Sequence, residues 1–220
     1  MTLFDRLKAD AAPQWADYTR HSFVEQLGAG TLPLACFKHY LVQDYLFLIQ
    51  FARAYALGVY KSHSVADMRQ SLEGVKAILD VELDLHLELC GSWGMDRTAI
   101  ENAPEDTPTM AYTRFVLDAG MAGDLLDLQA ALAPCVIGYA EIGARLAAED
   151  CDDDANPYQR WIREYAGETY QDLAGSFTEW LNGTAEQVMT EQRYPRVLSL
   201  FEKACRLESD FWQMGLNVKD

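Results

Sequence analysis

The stretch CFKHYLVQDYLFLIQFARAY, residues 36–55, decides the fold class. Wound as a helix, it places Phe37, Tyr40, Leu41, Asp44, Phe47, Leu48, Phe51 and Tyr55 on one face, at the spacing of an amphipathic helix. The same period continues outward through segments 2–19, 22–28, 32–60, 64–93, 108–122, 124–149, 156–181 and 192–217, while β-branched clusters and strand alternation are scarce. Turn signals fall between these segments: GAGTLP at 28–33, GSWGMD at 91–96, APEDTP at 103–108, EDCDDDANP at 149–157 and NGTAEQ at 182–187. Thr184 and Gln187 match a capping box, and Asp150 to Asp154 read as an acidic surface loop. With no linker or repeat, the expectation is an all-α fold, a helical bundle forming one domain over residues 1–220.

Asp44 is the anomaly of that opening face. It is the only acid between Lys38 and Arg53, on a stripe otherwise apolar or aromatic. A buried carboxylate costs several kcal/mol unless it is paired or hydrogen-bonded. Asp44 therefore either bonds to tyrosines or a helix end, or holds a ligand. The last helical segment repeats the pattern: Val197, Phe201, Ala204, Glu208, Phe211 and Gly215 share a stripe with Glu208 at its middle. Glu208 is either half of an interhelical ion pair or the partner of Asp44. If the two acids meet, burial and mutual repulsion push their proton affinities up and apart, as in acid–base pairs.

A third irregularity is APCVIGYAEIG, residues 133–143. Pro134 cannot donate to the Ala130 carbonyl, so the helix is expected to kink or restart there. Cys135 follows it, with Tyr139 one turn later on the same face. Cys36, Cys90, Cys151 and Cys205 lack such a setting and read as small buried hydrophobes. Glu141 lies on another face from Cys135 and reads as structural. Tyr112, Tyr165, Phe47 and Phe211 are ordinary core residues unless they collect around one cavity, where they would box a flat heterocycle.

Composition bounds the rest. The 220 residues are half hydrophobic and 11% aromatic, enough for a sizeable core. A net charge of −16 repels phosphates and argues against nucleic acid as a partner. No charge-free run of ~18 apolar residues is found, so no membrane span is expected. The start, MTLFDRLKADAAPQW, lacks the apolar core of a secretory leader, which points to the cytoplasm. Five widely spaced cysteines without C-x-x-C suit reduced thiols better than zinc or a disulfide framework. Of His21, His39, His63 and His86, none stands at Glu-x-x-His spacing. Glu82 and His86, at i and i+4, read as a hydrogen-bonded pair or as two ligands from one face.

Four motifs in register, QDYLFL at 43–48, AYTRF at 111–115, PCVIGYAEIG at 134–143 and ESDFW at 208–212, resemble the cysteine-containing branch of the TenA family, thiaminase II. The resemblance runs from about residue 5 to 216. It implies the haem oxygenase-like bundle, usually a homotetramer, with no cofactor or metal. The implied activity is hydrolysis of 4-amino-5-aminomethyl-2-methylpyrimidine to the hydroxymethylpyrimidine and ammonia in thiamin salvage, with cleavage of thiamin to the same pyrimidine and its thiazole. It also implies roles: Cys135 as nucleophile, Glu208 as catalytic acid, Asp44 as the carboxylate binding the aminopyrimidine. Tyr112, Tyr139 and Tyr165 would be pocket tyrosines, and Phe211 a stacking residue. Position 47 is often tyrosine in the family; Phe47 keeps the stacking face and lacks the hydroxyl, which leaves open how Asp44 is held. Carboxylate neighbours should raise the Cys135 pKa rather than lower it. Two other readings fit the same bundle. One is a metal- or cofactor-dependent oxidase using Asp44, Glu82, His86 and Glu208, and the other a pyrimidine-binding regulatory protein without turnover.

Overall fold

A computed structural model describes residues 1–149 and 155–218, the Leu85 side chain apart. The expectations for the acidic run Asp150–Asp154 and for Cys151 lie outside the described residues. Those residues form helices α1 Leu3–Asp10, α2 Ala12–Thr19, α3 Ser22–Gly28, α4 Leu34–Lys61, α5 Val65–Ala77, α6 Leu83–Ser92, α7 Arg97–Glu101, α8 Thr107–Ala122, α9 Leu125–Glu149, α10 Gln159–Ala166, α11 Glu168–Val188 and α12 Tyr194–Leu216. A π-helical turn, Ile78–Glu82, joins α5 to α6. No strand occurs among the described residues, so the all-α expectation holds.

The helices follow the hydrophobic stripes. All eight residues of the 36–55 face are buried in α4, Phe37, Tyr40 and Leu41 completely. All six of the α12 stripe are buried as well. Each large apolar side chain removed from water contributes about 1.5–3 kcal/mol against the entropy of ordering. α9 runs through the middle, touching α2, α4, α8, α10, α11 and α12. By length and composition α9 could cross a membrane, contrary to the sequence expectation, but its most apolar window is 94% buried inside the bundle. Its hydropathy is that of a helix enclosed on every side.

Four local expectations change. Segment 2–19 breaks at Ala11, where Pro13 starts α2. Segment 156–181 breaks at Gly167, whose extended backbone separates α10 from α11. Pro134 does not restart its helix: α9 is continuous across it. The NGTAEQ turn does not form either, for α11 continues to Val188. Leu181 and Ala185 are buried there, Asn182 Oδ1 accepts from the Phe4 amide at 3.0 Å, and the Thr184 hydroxyl bonds back to the Trp180 carbonyl. Packing against α1 overrides the turn propensity of Asn-Gly. The glycines Gly30 and Gly94 sit at φ +68° and +71°, within two of the expected turns.

Candidate active site

α4, α9 and α12 bring Asp44, Cys135 and Glu208 into one buried region. Asp44 and Cys135 line a cavity of about 30 Å³, together with Phe47, Tyr55, Glu82, Tyr139, Tyr165 and Tyr170. Glu208 is 1% exposed and lies close enough to the thiol for each to shift the other's proton affinity. The Tyr112 hydroxyl donates to Glu208 Oε1 at 2.8 Å. Tyr112 thus reaches the site through Glu208 rather than from the cavity wall. Phe211 also lies one layer back, its ring 5.7 Å from Phe47, which carries the exposed face. Tyr139 shares the wall with Cys135, as their i, i+4 spacing predicts.

Asp44 is held without help from position 47. The Tyr40 hydroxyl donates to Oδ2 at 3.2 Å, and His86 Nε2 lies 2.5 Å from the same oxygen. Tyr40 is itself fixed by the Trp161 indole N–H, which donates to its oxygen at 3.2 Å. The other His86 nitrogen, Nδ1, faces the Glu82 carbonyl at 3.0 Å. Both ring nitrogens are therefore engaged, and neither is available to a metal. The i, i+4 pairing expected of Glu82 and His86 runs through the Glu82 backbone. The Glu82 carboxylate instead faces the cavity, without a hydrogen-bond or ion-pair partner among the described residues.

Sequence reasoning missed Tyr40, Tyr55, Tyr170 and the role of His86. Tyr40 and Tyr55 were on the α4 stripe and carried no distinguishing sign. His86 stands 42 residues from Asp44, on a helix whose own pattern offered a nearer acid. Glu141, read as structural, pairs with Lys8 and accepts from the Trp15 indole at 3.0 Å.

Few positive charges reach this site, and its proton affinities follow. Burial pushes Glu208 up to about 8; the Tyr112 hydrogen bond and the nearby Cys135 thiol oppose this, and the charge of Asp44 reinforces it. Burial, with Asp44 and Glu164, pushes Glu82 up to about 7 although His86 opposes it. Burial, then Glu208, Asp44 and Glu82, hold the Cys135 thiol well above its ordinary value. The thiol is neutral at rest, beside a carboxyl group that gains and loses a proton near neutrality. Such a pair can add sulfur to an electron-poor carbon and protonate a leaving group.

A surface groove of about 550 Å³ lies against the cavity. The two share Tyr55, Gly74, Ala77 and Leu173 as their partition. Glu73, Asp80 and Asp172 line the groove beside Lys76, so its mouth favours cations.

Comparison with known proteins is consistent over nearly the full length. Residues 8–218 match the model of the TENA/THI-4/PQQC family. A Haemophilus influenzae protein named only as uncharacterized is 41% identical, the match covering 98% of this chain and all of that one. The aminopyrimidine aminohydrolase of Halalkalibacterium halodurans is 33% identical over 100% of this chain and 97% of its own. Among solved structures, a TenA family transcription regulator from Silicibacter sp. TM1040 superposes with a TM-score of 0.93 at 44% identity, covering 98% of this chain and 97% of that one. A domain with a heme oxygenase-like fold from Shewanella denitrificans superposes at 0.72 over 97% of this chain and 91% of that one. At 14% identity that likeness concerns the fold alone, and it agrees with the bundle expected from the sequence.

Proposed function

Because the chain belongs to the TENA/THI-4/PQQC family, we propose that it is an aminopyrimidine aminohydrolase of thiamin salvage acting through Cys135. It converts 4-amino-5-aminomethyl-2-methylpyrimidine and water to the hydroxymethylpyrimidine and ammonia, and cleaves thiamin at the same methylene. The observation carrying this reading is the Cys135 thiol beside a buried Glu208, on a cavity also lined by Asp44. A cytoplasmic homotetramer is part of the same reading.

In this mechanism Asp44 accepts a hydrogen bond from the ring amino group and orients the heterocycle. The thiol proton passes to Glu208 as sulfur adds to the ring carbon beside a nitrogen, and that nitrogen takes up the displaced electron pair and a proton. Glu208 then protonates the exocyclic amine. The C–N bond breaks, the nitrogen lone pair closes an exocyclic C=C, and ammonia leaves. Water adds to the methylene, giving its proton to Glu208; sulfur then departs as the ring nitrogen releases the proton it took up from solvent, the aromatic ring is restored, and Glu208 returns its proton to the sulfur. Each barrier is lower than direct displacement of an amine. With its pKa near 8, Glu208 exchanges protons in both directions at neutral pH.

The test compares ammonia release from the aminomethylpyrimidine with thiazole release from thiamin, using wild type and Cys135→Ala. Turnover of either substrate by wild type alone supports the reading. Near-wild-type turnover by the alanine variant refutes the covalent route, and tight binding of hydroxymethylpyrimidine without any turnover would point to a regulatory protein. Sedimentation of the intact protein tests the tetramer.

A further inference from the structure

The hydrogen bonds around His86 count its protons. Nδ1 lies 3.0 Å from the Glu82 carbonyl oxygen, which can only accept, so Nδ1 carries a hydrogen. Nε2 lies 2.5 Å from Asp44 Oδ2, and two lone pairs do not approach that closely. One proton therefore sits between them. Wherever along that line it rests, the pair is neutral overall, and both residues are about 5% exposed or less. Tyr40 also donates to Oδ2, so Oδ1 is the oxygen left for a ligand.

We propose that His86 is the positioning residue of this site: it turns Oδ1 of Asp44 toward the cavity, and the proton shared with Asp44 keeps the pair neutral for an uncharged aminopyrimidine edge. This rests on the reading of Asp44 as the ring-binding acid. The site already contains Glu208 and Glu82, and an unscreened third carboxylate would be expensive there. The shared proton balances that charge within the pair and leaves Oδ1 as an acceptor for the ring amino N–H. Loss of the proton sets a carboxylate against an imidazole lone pair, pushes Asp44 off its mark and weakens binding.

The surroundings bear on when that happens. Asp44 and Tyr40 face the ring from α4, and Glu82 from the π-helical turn. Arg160, Glu164 and Tyr165 face it from α10, with Glu88 and Cys90 on α6 itself. Beyond Asp44 stand Cys135 and Tyr139 of α9, Tyr170 of α11 and Glu208 of α12. Burial is the largest influence on His86 and opposes its charged form; the hydrogen bond and charge of Asp44, with Glu82, outweigh it and raise the pKa. The proton is then lost only above the ordinary range of histidine, as an alkaline limb on substrate binding.

The first experiment needs no substrate. ¹⁵N-resolved NMR of the intact protein follows four histidines. At about pH 8 Nδ1 should still carry its proton and Nε2 should still share the second with Asp44, although a free imidazole titrates near 6.5. A His86 ring that titrates at or below that value overturns the proposal, whatever the enzyme's substrate. The second experiment uses the aminomethylpyrimidine. His86→Leu removes the donor and should raise KM about tenfold or more with kcat within about threefold. His86→Gln keeps an N–H donor that cannot titrate, and should recover most of the KM while losing the alkaline limb. Identical behaviour of the two variants, or a pH profile unmoved in glutamine, reduces His86 to packing and ends the proposal. An inactive wild type would refute the proposed function and leave the NMR result standing.

Discussion

Asp127 and Glu208 are carboxylates buried to nearly the same degree, 4% and 1% exposed, in opposite company. Asp127, in the first turn of α9, meets two guanidinium groups: Arg193 lies 3.1 Å from Oδ1 and Arg196 3.2 Å from Oδ2. The Asp124 amide also donates to it at 3.3 Å. Glu208, midway along α12, meets a phenol, a thiol and the field of another acid. The first arrangement satisfies a charge and ties the start of α9 to the start of α12. The second denies the charge a counter-ion, so the carboxyl group holds its proton to a higher pH than a free glutamate and titrates near neutrality. Burial alone does not distinguish the two acids; the guanidinium groups around Asp127, and the lack of any around Glu208 among the described residues, do.

The largest test of this contrast is at the thiol that Glu208 serves. Cys135→Ala should lower aminohydrolase kcat roughly a thousandfold or more, while the far-UV spectrum and melting temperature stay close to wild type. Glu208→Gln should lower kcat about a hundredfold to ten-thousandfold. Its stability should change in the other direction. The folded pKa of Glu208, about 8, lies above the unfolded value of about 4.5, so the folded state holds the proton longer. The stabilisation this gives is complete below about pH 4.5 and is lost as pH rises toward 8. Glu82, at about 7, and His86, also raised, act in the same sense. Melting temperature against pH should therefore fall less steeply across pH 5–9 in Glu208→Gln than in wild type. A steeper fall in the variant would contradict the assignment of a protonated buried acid.

Asp127→Ala gives the converse. It should cost about 1–3 kcal/mol in denaturant unfolding, since Arg193 keeps Asp124 and both arginines reach solvent. The activity of each folded molecule should be unchanged. Tyr112→Phe is expected to have the smallest effect. It removes a hydrogen bond that lowers the Glu208 pKa, so the corresponding limb of the kcat profile should move up by about half to one unit, with kcat falling about tenfold or less. A downward shift would mean that the hydroxyl favours the neutral acid.

Much of this was legible before the coordinates. The stripes of α4 and α12 are strong because each repeats for about five turns, and the interruption of each by one acid marks Asp44 and Glu208. Cys135 was marked by its proline and by Tyr139. What escaped depends on contacts between distant segments. His86 was matched to Glu82 because i, i+4 is the only pairing a helix pattern can offer, whereas its acid lies on α4. Asn182 and Gly183 spell a turn, and only the packing of α1 on α11 keeps them helical. The order of layers was also hidden: Phe47 and Phe211, or Tyr139 and Tyr112, look alike as aromatics on helical faces. The structure puts the first of each pair on the cavity wall and the second behind it.

The cavity has a consequence for the tempo of the protein. Thirty cubic ångströms hold a water or two, whereas a single aromatic ring occupies an internal space of about 150 Å³. For the proposed heterocycle to fit, the wall formed by Tyr55 and Leu173 between that space and the groove has to give way. Collision is then only an application for entry. On the proposed activity, entry of the ring and exit of the product both require that opening.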